Sequence, residues 1–354
     1  MEDTDSIIID TATRIFQDLG APRTILNARD ESWKQALWDT LEEAGLTQAW
    51  TPDDLGGAGA DIADGFDVLR VAGEYAVSIP LAETLLAGWL LARADIVVPQ
   101  GPMTVAPARR GERIELDADG ALRGTARKIP FARDAGGIAV LARRGNDAVV
   151  ALVDCADCAI AAGKNLAGDA LDTVCFDGVI PQIVELAPDG IDEDALFQMG
   201  AAARTAQIAG GLRGILDMSV DYAQERVAFG RPIGKFQAVQ HNLARLGGET
   251  AAAIAAVGAV ADRLGRSASF DDQVLFEVAA AKTRVGEAAG EGAAIGHQVH
   301  GAIGFTDEHI LHRYTMRLWS WREDFGSESV WAVRLGEMVA ARGADALWPM
   351  VTAQ

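Results

Sequence analysis

Residues 226–241 read Arg226-Val227-Ala228-Phe229-Gly230-Arg231-Pro232-Ile233-Gly234-Lys235-Phe236-Gln237-Ala238-Val239-Gln240-His241, and they divide a long helical stretch in two. Upstream, small and apolar residues recur at three and four from Ala195 to Arg226. Gly230 and Pro232 stop that helix, Arg226 places a cation at its C-terminal edge, and Gln237 opens another helix that runs to Leu264. A third Ala-rich stretch covers Asp271 to Gly296. Long helices joined by short corners predict an antiparallel bundle. Judged by residue types alone, the corner is also consistent with a plain helix-turn-helix bend whose Arg caps carbonyls.

Moving toward the N-terminus, the texture changes. Between about Ile96 and Val184, short β-type runs are punctuated by Gly, Asp and Asn: Met103 to Ala106, Arg113 to Leu116, Gly137 to Ala142, Ala148 to Val153 and Thr173 to Phe176. Before them the helical period returns in Ile7, Ile8, Ala12, Ile15, Phe16 and Leu19, in Trp33 to Leu41, in Ala63 to Tyr75 and in Ala82 to Ala94. The Pro- and Gly-rich loop from Trp50 to Gly59 interrupts that segment. The reading is a mainly α chain with a middle β domain: an N-terminal helical domain over 1–98, a small, shortened sheet or barrel over 99–188, and a C-terminal four-helix bundle over 189–354.

At 354 residues, with 49% hydrophobic and 23% charged residues, the chain can bury a large core. A net charge of −20 repels a nucleic-acid backbone, so no nucleic-acid partner is expected, while an anionic small ligand remains open to local arginines and helix N-termini. No uninterrupted apolar run reaches membrane-spanning length and the N-terminus is acidic, so the expectation is a cytoplasmic protein without a membrane partner. Cys155, Cys158 and Cys175 make an odd set that argues against a disulfide framework. The Cys155-x-x-Cys158 pair has no second pair to complete a zinc site, and Glu308, His309 and His312 supply only three ligands on one face; no metal is expected.

The 226–241 stretch resembles the pattern R-x-x-F-G-x-P-I-x-x-F-Q-x-V-Q-H of the acyl-CoA dehydrogenases. Gln298-Val299-His300-Gly301-Ala302-Ile303-Gly304-Phe305 is similar to that family's Q-x-x-G-G-x-G-F, and Pro52 to Gly59 to its P-E-x-x-G-G-x-G loop. The resemblance spans most of the chain and implies FAD as cofactor. It assigns Arg226 to the FAD pyrophosphate and Phe229, Phe236 and Gln237 to the dinucleotide. The loop of Gln298 and Gly301 closes over the adenosine half of a neighbouring subunit's FAD, with His241 and His300 as structural hydrogen-bonders nearby. It further implies an acyl-CoA substrate, an α,β-dehydrogenation as in fatty acid or steroid side-chain β-oxidation, and electron-transfer flavoprotein as acceptor.

Elsewhere the pattern breaks. The family's T-E-P-x-x-G-S-D is reduced to Met103-Thr104-Val105-Ala106-Pro107, and its W-I-T or W-I-S is replaced by Lys128-Ile129-Pro130-Phe131-Ala132. The reaction needs a carboxylate to take the α-proton, usually within I-Y-E-G-T. Registering Gly326 and Ser327 on the G-T, as cofactor contacts, leaves Phe325 at the Glu, flanked by Glu323, Asp324 and Glu328. The alternative family position registers on about Gly200. Three readings stay open. One is a dehydrogenase using Asp324, or Glu323 or Glu328, as base. The second is a catalytically deficient subunit completing the FAD site of a partner chain in a heterotetramer instead of a homo-oligomer. The third is a flavin monooxygenase or nitroalkane oxidase on the same fold. The aromatic run Tyr314, Trp319, Trp321, Phe325 and Trp331 is expected in the core or at a subunit interface, or as the wall of an acyl pocket.

Overall fold

The computed structural model describes residues 2–28, 30–267 and 269–352. The first layer holds α1 (Glu2–Leu19), α2 (Pro22–Asn27), α3 (Ser32–Glu43), α4 (Ile62–Tyr75) and α5 (Leu81–Arg93). Helix α4 starts on a capping box in which Asp61 and Asp64 serve each other's backbone amides. The apolar stripes of α1, α3 and α4 meet through Phe16, Leu37, Leu41, Phe66 and Leu69, all buried.

The middle of the chain forms β1 (Met103–Ala106), β2 (Ile114–Leu116), β3 (Leu122–Pro130), β4 (Gly137–Arg144), β5 (Asp147–Asp154), β6 (Ala159–Ala161), β7 (Leu171–Val179) and β8 (Ile183–Leu186). They make one mixed sheet in the order β6-β7-β3-β2-β4-β5-β8, with β1 also lying parallel to β4. The runs expected at 103–106, 113–116, 137–142, 148–153 and 173–176 all fall on strands. Strand β3 was not foreseen, because Arg123, Gly124, Arg127, Lys128 and Pro130 dilute its β character. Pairing with β2 and β7 on its two sides supplies what the local sequence lacks.

The second helical layer is α6 (Glu193–Glu225), a short hairpin of β9 (Val227–Ala228) and β10 (Arg231–Pro232), α7 (Gln237–Arg266), α8 (Asp272–His300), α9 (Leu311–Glu323), α10 (Glu328–Arg342) and α11 (Leu347–Thr352). Asp192 caps α6 by accepting from the amides of Asp194 and Ala195. Every residue from Ala195 to Leu212 is buried, so this half of α6 is enclosed on all sides. Glycine permits the closeness: a Cβ on Gly210 would lie 1.8 Å from the Arg70 carbonyl oxygen, and one on Gly73 would lie 2.2 Å from that of Gln207. Helix α7 is long and apolar enough to cross a membrane by length and composition, yet it packs along α6 and α8.

Two buried ionic knots join the layers. Arg204 on α6 donates to Glu83 on α5, to Asp324 after α9 at 3.0 Å, and to Gln207. Asp169, before β7, accepts from Ser78 near the start of α5 and from Arg317 on α9 at 2.8 Å. Replacing one member of such a knot leaves an uncompensated charge in low dielectric. Arg204→Leu is therefore expected to lower unfolding stability by about 3–5 kcal/mol, read from chemical denaturation midpoints. Gly210→Ala should cost about 1–3 kcal/mol by overpacking. Gly248→Ala on α7, where nothing lies within 4 Å of the added carbon, should be neutral or gain up to about 1 kcal/mol.

Candidate functional site

At the C-terminal end of α6, Arg226 leaves the helix with its amide bonded to the Tyr222 carbonyl at 2.9 Å. The chain then reverses through Phe229 and Gly230, both at positive φ (52° and 79°), the sense of turn that two-residue hairpin loops prefer. Asparagine or glycine suits the first of those positions. A phenylalanine held in the left-handed region costs about 1–2 kcal/mol, and this one is 96% exposed. Strain combined with exposure marks a side chain kept for something outside the fold. Phe236 packs edge-on to Phe229 at 6.3 Å and lies beneath the Arg231 guanidinium at 4.3 Å. Gln237 then begins α7, whose N-terminus no side chain caps.

The second signature lies beside the first. Tyr222, one turn before Arg226, stacks on His300 at 4.5 Å, which fixes the end of α8 against the end of α6. Gln298, Gly301 and Phe305 are exposed there, and nothing lies within 4 Å of a carbon built on Gly301. Phe305 stacks on His297 at 4.0 Å, and His309 lies 4.7 Å from His300. His312 Nδ1 donates to the His309 carbonyl at 2.7 Å. Four of the chain's five histidines thus gather around this loop. Burial lowers the pKa of His297, His300 and His309, and neighbouring imidazoles lower each further; the Gly296 carbonyl opposes this at His300. No group of histidines, cysteines and carboxylates among the described residues is arranged to hold a metal ion. The Cys155 and Cys158 thiols are pushed up by burial, to about 12 and about 11, the opposite of a reactive pair.

A separate cleft of about 280 Å³ opens at the other end of α6, where it meets the sheet. Gly326 and Ser327 line it, with Phe197, Phe325, Lys128 and Arg109. The two positions that register on a family base meet in space: a carbon built on Gly200 would lie 2.4 Å from the Phe325 ring. Phe325 is buried, held at positive φ (51°), and its carbonyl accepts from the Trp331 indole at 2.9 Å. Asp324 is committed to Arg204. Glu323 and Glu328 both lie against Arg322, at 3.4 Å each. The expectation of Asp324 as a free base thus meets a carboxylate already used as a structural partner. Of the aromatic run, Tyr314, Trp321, Phe325 and Trp331 are buried in the fold.

Gly200 and Arg226, the C-cap of α6, are 26 residues apart, which places the cleft and the Arg226 corner about 39 Å apart along the helix axis. Sequence reasoning missed the cations Arg109 and Lys128, and the Arg204 knot. A charged residue within an otherwise unbroken apolar period, as at Arg204, is the signal that was available.

The profile described as "Acyl-CoA dehydrogenase, C-terminal domain" matches residues 193–331. The chain is 31% identical over 291 residues to the acyl-CoA dehydrogenase IpdE2 of Mycobacterium tuberculosis, covering 82% of each protein. Its fold is similar to a chain of the ChsE4-ChsE5 complex of Mycobacterium tuberculosis, with a TM-score of 0.82 at 24% identity over 95% of this chain and 97% of that one. It is also similar to the Tcur3481-Tcur3483 steroid ACAD, with a TM-score of 0.83 at 24% identity over 96% and 98%. These findings agree with the helix-sheet-helix order and both signatures: the chain belongs to the acyl-CoA dehydrogenase family and is an oxidoreductase of that type.

Proposed function

We propose that this chain is the subunit of a two-chain acyl-CoA dehydrogenase that holds the dinucleotide half of FAD for a partner chain, while the partner supplies the ring pocket and the base. The observation that carries this reading is the contact of Phe325 with Gly200, which fills both base positions with a hydrocarbon plug. No proton acceptor replaces them, since Asp324 serves Arg204 and the neighbouring glutamates face Arg322. The same loss weighs against a self-sufficient dehydrogenase and against monooxygenase or nitroalkane oxidase chemistry in this chain's own cleft. Two of the structural neighbours, the ChsE4-ChsE5 complex and the Tcur3481-Tcur3483 enzyme, are named for two chains each, which supports a heteromeric assembly.

The dinucleotide face suits FAD. Arg226, Arg231 and Lys235 are exposed cations beside the uncapped start of α7, a combination that favours a diphosphate. Phe229 and Phe236 offer aromatic surface, and Gln237 and Gln298 offer amides. The open backbone at Gly301 admits a close approach. When bound, FAD accepts the hydride from the acyl β-carbon. The substrate of the assembly is an acyl-CoA, a bulky steroid-derived one being favoured by the likeness to a steroid ACAD, with electron-transfer flavoprotein as acceptor.

Purified alone, the chain is expected to carry little flavin. Co-purified with a dehydrogenase-like partner, it should give one FAD per pair of unlike chains, measured by absorbance against native mass. A homo-oligomer with one FAD per chain, bleached by acyl-CoA without oxygen, contradicts the reading. Arg226→Gln removes a charge-assisted contact and should weaken FAD retention by roughly tenfold or more. A pH effect follows from the histidines. Their folded pKa values lie below the usual 6.5, so the loop's stability is full above that pH and falls as acid protonates the unfolded state more readily. Amide exchange over residues 300–306, corrected for intrinsic rate, should therefore quicken between neutral pH and about pH 5, and His309→Gln should flatten the response.

A further inference from the structure

The cleft at the start of α6 has lost its base, but its lining is specific. Its floor is apolar, built from Phe197, Phe325, Pro130, Ala108 and Val330, and its rim carries Arg109, Arg110 and Lys128. In a chain of net charge −20, a concentration of cations needs a reason. Arg109 and Lys128 make no ion pair or side-chain hydrogen bond among the described residues, and Arg110 reaches Asp194 only at 3.7 Å. The two carboxylates that share the rim each lie against a guanidinium that also faces a second carboxylate, Asp324 against Arg204 with Glu83 and Glu323 against Arg322 with Glu328. Within the lining, Arg109 and Lys128 are the cations left without a carboxylate partner among the described residues.

The backbone supplies a second observation. The pairing of β3 with β7 shifts register between Arg127 and Ile129, and Lys128 at that irregularity has φ 57°. A lysine in the left-handed region costs about 1–2 kcal/mol. A bulge breaks the strand's alternation and re-aims the residue it carries. Here it places Lys128 on the wall shared by the cleft and an adjoining cavity of about 550 Å³, which Lys164 also lines. Lys164 too has no ion pair among the described residues. Lys128, Arg109 and Lys164 thus bring three such cations without ion-pair partners to these two adjoining cavities.

From this lining we infer that the cleft is a binding site for an amphipathic carboxylate, its apolar body on the Phe197 and Phe325 floor and its carboxylate between Arg109 and Lys128. Arginine's fork matches a carboxylate, and the apolar floor excludes a fully polar phosphate ligand. The same chemistry is offered by a free carboxylic acid or by the distal carboxylate of a dicarboxylic acyl-CoA. The inference rests on the proposal that this chain's own cleft holds no flavin ring, and the flavin count of the complex reports on that proposal separately.

Calorimetric titration of the assembled complex tests it, with octanoate as probe and octanol as its uncharged counterpart. Octanoate should bind saturably and at least tenfold more tightly than octanol. Arg109→Gln and Lys128→Gln should each weaken it roughly tenfold while leaving FAD per complex unchanged; both side chains are exposed, so the fold should tolerate them. Adipoyl-CoA distinguishes the source. If it exceeds both octanoate and hexanoyl-CoA, and loses that advantage in the double variant, the carboxylate is carried on a thioester; if octanoate alone responds to the variants, the ligand is a free acid. Equal binding of octanol, no saturable binding of either carboxylate, or variants that bind both as the wild type does overturns the inference. A second flavin in the complex, on this chain, would instead overturn the proposal beneath it.

Discussion

The burial of Arg204 is the constraint on which the arrangement depends. A guanidinium in the middle of an enclosed helix is tolerable only with its donors engaged, and here Glu83, Asp324 and Gln207 engage them. Those partners come from the first helical layer, from the segment after α9 and from α6 itself. One charge therefore fixes the position of the first layer and of the loop that carries Phe325. Burial pushes the Glu83 carboxyl up, with Arg204 opposing it, so the cluster holds because its members are placed together.

Lys282 extends the same logic. It is fully buried on α8 and donates to the carbonyls of Trp321 and Arg322, at 3.2 and 2.7 Å, closing the end of α9. Burial draws its ammonium down to about 7, with the Asp324 charge resisting. A loop braced by both Arg204 and Lys282 has little freedom to release Asp324 for proton transfer.

At the opposite end of α6 the physical chemistry is reversed. Phe229, Gln237 and Gln298 are exposed to solvent. An interior end whose buried Arg204 is matched and an exterior end with exposed cations and aromatics give the molecule a polarity along one helix. The buried end stabilises the chain, and the exposed end is the one available to a ligand.

By itself the sequence determined the order of helices, sheet and helices, because periodicities of 3.6 and 2 and the Gly and Pro punctuation are local properties. It also located both signatures, since each is a short contiguous run of residues. It did not reveal β3, whose charged residues and glycine become a strand only between two neighbours. Nor could it show that Gly200 and Phe325 occupy one volume, that Asp324 belongs to Arg204, or that Lys128 turns at a bulge beside Arg109. Those are contacts between residues far apart in the chain. Only packing decides which side of each helix is enclosed and which charge finds a partner.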